Sequence, residues 1–169
     1  MVKSIGELIK KINVENDRDV LYRWYQNAYA KDVPEIMAAA LERAIELRAK
    51  GFESEDEFEI AVFHALAAYE IALSIKNERR TSASRTRELI GRLKPLKAIK
   101  FLINSTEEKF GLVTLSKMKL AEFTFEGVIV THYERFEPEE VVEAQRRLDE
   151  IFEDRPKVFI YPKIDRSIF

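Results

Sequence analysis

Between Phe58 and Ile75 the chain carries only four polar side chains: Glu59, His64, Glu70 and Ser74. At 100° per residue, Glu59, Glu70 and Ser74 fall within about 60° of one another, so nearly the whole circumference of a helix here is apolar. Such a helix has to be surrounded, and this predicts a long buried central helix over about residues 55–78. Ser54-Glu55-Asp56-Glu57 reads as the capping box that opens it. Ala61, Ala65, Ala67, Ala68 and Ala72 leave room for neighbouring helices to approach closely. The longest uncharged stretch, Ile60 to Tyr69, is ten residues, against about 20 for a membrane span. No membrane partner is expected.

Helical spacing continues on both sides of this element. Ser4 to Ile12 is a short amphipathic segment, and Asn16-Asp17 offers a cap for a helix to Ala30. Asp32-Val33-Pro34-Glu35 reads as an N-cap with proline in the first turn, and Gly51 stands where that helix ends. Helices are expected from Ser84 to about Lys94 and from Pro95 to Asn104, with Pro95 marking the break. Residues 115–133 keep helical spacing through Leu115, Met118, Ala121, Phe125, Val128, Ile129 and His132, and one helix is expected there. Pro138 opens a last helix to about Asp154, which Pro156 ends. The expected fold is all-α: a compact bundle of about seven helices in one domain, residues 1–156. An extended apolar tail, 157–169, is expected to dock on the core or on a partner subunit.

Composition removes several kinds of chemistry. There is no cysteine, so disulfides, thiolate catalysis, iron–sulfur clusters and thiolate zinc sites are excluded. Successive glycines are never closer than 16 residues, which leaves no phosphate-cradling loop and no dinucleotide fingerprint. Seven Asn and Gln against 58 charged residues match the Lys/Glu-rich composition of hyperthermophile proteins. The start of the chain, Met1-Val2-Lys3-Ser4-Ile5-Gly6, lacks the apolar core of a signal peptide, and a cytoplasmic location is expected.

Candidates for catalysis are few. His64 lies on the most buried helix and reads as a core histidine. His132 with Glu122 and Glu126 is the one cluster of metal-ligating or acid–base types, but a regular helix would set His132 about 120° from Glu126. Ser82 and Ser84 have no histidine nearby in sequence and read as helix caps. Tyr22, Trp24, Tyr25 and Tyr29 could stack on bases, although their spacing suits a core face. No catalytic residue, metal site or cofactor is assigned.

The remaining signal is charge. Residues 76–100 hold nine Lys and Arg against Glu78 and Glu88, a net +7 in a chain whose formal charge is −2. Lys76, Arg79 and Arg80 suit the C-terminus of the long helix. Arg85 and Arg92 flank one edge of the Leu89, Ile90, Leu93 stripe, and Arg87 and Lys94 the other, as snorkelling side chains do. Lys97, Lys100 and Asn104 share an outward face. The two helices also invite a helix-turn-helix comparison, but Pro95 occupies the junction.

Segments such as Ser84-Arg85-Thr86-Arg87-Glu88-Leu89-Ile90, Ile103-Asn104 and Phe123-Thr124-Phe125-Glu126 resemble an uncharacterised family of small prokaryotic proteins over residues 82–150. That resemblance implies a shared domain and no activity. The function expected is non-enzymatic, largely non-specific association with DNA or RNA. Arg79, Arg80, Ser84, Arg85, Arg87, Arg92, Lys94, Lys97 and Lys100 are the candidate contacts. The alternatives are an assembly protein, whose basic segment pairs with the acidic 134–154 helix of another copy, and an enzyme of unrecognised type.

Overall fold

The structure is a computed structural model and describes residues 4–105, 110–151 and 159–169. Its helices are α1 (Ile5–Ile12), α2 (Arg18–Ala30), α3 (Pro34–Ala49), α4 (Glu57–Lys76), α5 (Ser84–Leu93), α6 (Pro95–Asn104), α7 (Phe110–Lys117), α8 (Phe125–Thr131) and α9 (Pro138–Glu150). Single 3₁₀ turns lie at Ala121–Phe123, Tyr133–Arg135 and Arg166–Ile168. No strand occurs among the described residues. The protein is an all-α multi-helix bundle.

Most helix ends have local causes. Ser4 and Glu7 form a capping box at α1, and the Asp17 side chain accepts the Asp19 N–H at 2.8 Å to start α2. At α3, Asp32 does not cap. It takes φ +53°, Val33 becomes the N-cap, and Pro34 follows at N1. Gly51 leaves α3 at φ +107°, a conformation that side chains disfavour. The cap of α4 is Asp56, which accepts the Phe58 N–H at 2.8 Å. Ser54 instead donates its hydroxyl to Glu59 at 2.7 Å. Helices α5 and α6 are joined by Lys94 alone, at φ +68° and ψ 160°, a region that favours glycine.

Residues 115–133 do not form one helix. Lys119 turns the chain at φ +60° after α7. The Thr124 hydroxyl then accepts the Gly127 N–H at 2.9 Å and donates to the Ala121 carbonyl at 2.6 Å, which restarts the chain as α8. A Cβ on Gly127 would lie 2.3 Å from the Ala121 carbonyl oxygen, so only glycine fits this fold-back.

Two apolar cores share α4. Its first half, with Phe58, Val62, Ala65 and Leu66, packs with Ile90, Ala98, Ile99, Ile103, Val128, Ile129 and Ala144 from α5, α6, α8 and α9. Its second half, with Ala67, Ala68, Ile71 and Ala72, packs with α1, α2, α3 and residues 161–169. Each fully buried Leu or Ile contributes about 1.5–3 kcal/mol. Helix α4 is long and apolar enough to cross a membrane, but more than half of it is buried among its neighbours. The tail is held polar and apolar alike: Tyr25 donates to the Pro162 carbonyl at 2.6 Å, and the Phe169 ring lies 5.6 Å from that of Tyr25.

Candidate nucleic-acid interface

The basic segment begins where α4 ends, and its loop is tied down from inside. Ser74, fully buried, donates its hydroxyl to the Glu70 carbonyl at 2.6 Å and accepts the Thr81 N–H at 2.8 Å. Glu70, also fully buried one turn earlier, reaches the start of α5. Its Oε1 accepts the Ala83 N–H at 2.9 Å. Arg87 donates to both carboxylate oxygens, and Arg48 donates Nε to Oε2 at 3.2 Å. Arg48 also donates to the Thr81 carbonyl at 2.7 Å. Burial opposes the charged form of Glu70. The Arg87 and Ala83 hydrogen bonds and the two guanidinium charges outweigh it and hold the carboxyl below its ordinary range.

This network reassigns part of the candidate set. The N-cap of α5 is Ala83, with no side-chain cap, so Ser84 is an exposed first residue rather than a cap. The anion at this helix start is the protein's own Glu70. Arg87 is spent on Glu70 and lies over the Phe52 ring, 5.1 Å from its centre. Lys100 does not join Lys97 in an outward patch. It meets Glu140 of α9 at 3.4 Å and lies 5.8 Å from the Phe136 ring centre. Arg80 points a guanidinium nitrogen at the Phe169 carbonyl, 3.5 Å away, and Lys76 lies over Phe110.

Arg79, Arg85, Arg92, Lys94 and Lys97 remain exposed. None of them has a salt bridge among the described residues. Their setting is unusual for this molecule. Helices α1, α2, α3, α4, α8 and α9 all carry an acid in the first turn, as the helix dipole favours. Helices α5, α6 and α7 carry none. Arg85 stands in the first turn of α5, and Lys94 and Lys97 at the start of α6.

The other candidate clusters resolve differently. His64 and His132 line one cleft with Glu122, but no group of three His, Asp or Glu among the described residues is placed to hold a metal ion. His64 is half-buried rather than enclosed. Burial pushes its pKa down, partly countered by the charge of Glu46. Glu126 is separated from this cleft and faces Arg147 of α9 at 3.5 Å. Together they border a hollow of about 100 Å³ with Tyr69, Leu102 and Phe125. Of the tyrosine set, Tyr25 is buried and Tyr22 packs on Phe169, which leaves Tyr29 as the most open ring.

Comparison with protein-family models, curated proteins and solved structures finds no match to this chain. The residues that local patterning missed are Arg48 and Glu70, which tie the segment down. The sequence-level signal for Glu70 is an ionisable group on an otherwise apolar helix, the kind that needs a partner when buried; Arg48 lies on the apolar side of α3 with Leu41, Ala44 and Ile45.

Proposed function

We propose that this is a non-enzymatic, cytoplasmic protein that associates with nucleic acid without sequence preference. Its contacts are the outward cations Arg79, Arg85, Arg92, Lys94 and Lys97. The observation that carries this is the start of α6, where Lys94 and Lys97 stand exposed with no acid in the first turn, together with the exposed and unbridged Arg79, Arg85 and Arg92. Lys94 and Lys97 repel the positive end of the helix they begin. A phosphate backbone relieves that repulsion and releases counterions as it binds. The amide-poor, charge-rich composition supports a hyperthermophile source.

The test is duplex DNA and RNA binding across a salt series. With five cations engaged, log affinity should fall against log salt with a slope of about −4.5 for duplex DNA. Changing Arg79, Arg85, Arg92, Lys94 and Lys97 to Ala should abolish retention on heparin and flatten that slope. Unchanged binding by this variant rejects the proposal. Self-assembly is the second reading, favoured by the apolar side chains left exposed on α6 and α9, Phe101 and Val142, since the Lys100–Glu140 contact already pairs those helices by charge within one chain. It requires a concentration-dependent mass in light scattering, and a strict monomer rejects it.

A further inference from the structure

We infer that the nucleic acid taken by this face is single-stranded, with a base stacked on Phe101. The inference rests on the nucleic-acid reading above and adds what the cations alone do not specify. Helix α6 exposes three positions, Lys97, Phe101 and Asn104, while Ala98, Ile99 and Ile103 are buried. At 100° per residue the three exposed positions lie within about 60° of one another, on a stripe about 10 Å long. Lys94, at the N-cap, extends the same side by one turn.

A lone exposed apolar residue on a protein surface is ordinary. Phe101 is 57% exposed and stands one turn from an unpaired lysine, on a helix with no acid in its first turn. Elsewhere in the basic segment rings and cations are matched inside the fold: Lys76 over Phe110, Arg87 over Phe52 and Lys100 over Phe136. Phe101 turns its ring to solvent between Lys97 and Asn104 instead. An aromatic face beside cations is the arrangement that binds unpaired bases, because every base offers a π-face and the cations follow the backbone. In a duplex the bases are already stacked on one another, so an aromatic ring on a flat helix face adds little there. The ring selects strandedness, and the cations supply the general affinity.

The experiment compares short oligo-dT with a duplex of equal length at matched salt, using wild type, Phe101→Ala and the five-cation Ala variant. Wild type should prefer the single strand. Phe101→Ala should bind oligo-dT about 5- to 150-fold more weakly and leave duplex affinity unchanged. The five-cation variant should lose both. Phe101→Trp supplies a second readout: it should retain single-strand binding, and its fluorescence should be quenched by oligo-dT.

Phe101→Ala binding oligo-dT as wild type does, while the five-cation variant does not, overturns the stacking inference and leaves nucleic-acid binding standing. Wild type that binds neither strand form overturns both. A Phe101→Ala protein that changes from dimer to monomer in light scattering assigns the ring to a second copy of the chain and also overturns the inference.

Discussion

Glu70 and Glu143 each sit between two arginines, yet the two clusters perform different work. Glu70 is fully buried, and its partners Arg48 and Arg87 lie 22 and 17 residues away on other helices. The side chain of Glu143 keeps 39% of its surface exposed, and Arg146 and Arg147 are its neighbours at i+3 and i+4 on α9. Hydrogen bonds from Arg146 and Arg147 hold the Glu143 carboxyl at about 2. A strongly lowered pKa therefore does not mark the more important pair. Water competes for Glu143, while nothing but protein answers Glu70. The buried cluster also holds backbone, at Ala83 and Thr81, so it fixes where α5 begins. The surface cluster decorates a helix that would form without it.

The sharpest way to break this contrast is Glu70→Gln, which leaves Arg48 buried beside a neutral side chain. The expected loss is about 3–5 kcal/mol, a fall in Tm on the order of 10 °C for a chain of this size. Amide exchange at Ala83 should rise with it. The pH dependence has a definite sign. The folded carboxyl lies below the ordinary value of 4.5, so the unfolded chain takes up the proton first. The contribution of Glu70 is complete above that ordinary value and is lost as pH falls through the folded one. Denaturation midpoints of wild type and Glu70→Gln should therefore converge in acid and stay apart at neutral pH.

Replacing the whole cluster by Arg48→Met, Glu70→Leu and Arg87→Met asks whether charge or backbone attachment matters more. Buried ion triads often tolerate apolar replacement with no loss. Here the Ala83 N–H and the Thr81 carbonyl would lose side-chain partners. The triple variant should remain about 2 kcal/mol below wild type in urea denaturation. Stability equal to wild type would mean that the loop needs no tether.

What could be read from the chain divides along the same line of local against distant contacts. The apolar circumference of α4, the proline starts of α3, α6 and α9, and the glycine that ends α3 are local signals. The structure has those elements where they are expected. The split at 118–124 is local too, but helical spacing across it hid the Thr124 cap, whose hydroxyl accepts from Gly127 three residues on. Arg87 and Lys100 could not be assigned from spacing. The acids that engage them, Glu70 and Glu140, are 17 and 40 residues distant, and nothing in helical periodicity chooses a partner on another element. The candidate interface therefore shrank to the cations whose own helices leave them exposed.

Glu143→Gln gives the smallest expected effect and completes the comparison. It removes both arginine contacts of an exposed carboxylate, and such pairs contribute about 0.2–1 kcal/mol. The Arg147 side chain keeps its hydrogen bond to the Ile103 carbonyl at 2.6 Å and its contact with Glu126, so the helix retains its attachment to the core. Repeating the denaturation in about 1 M salt, where screening acts within about 3 Å, should erase this loss while leaving that of Glu70→Gln nearly intact. If both losses vanish together in salt, water reaches Glu70 and burial is not what separates the clusters. If neither changes, Glu143 acts through packing on α9 rather than through charge.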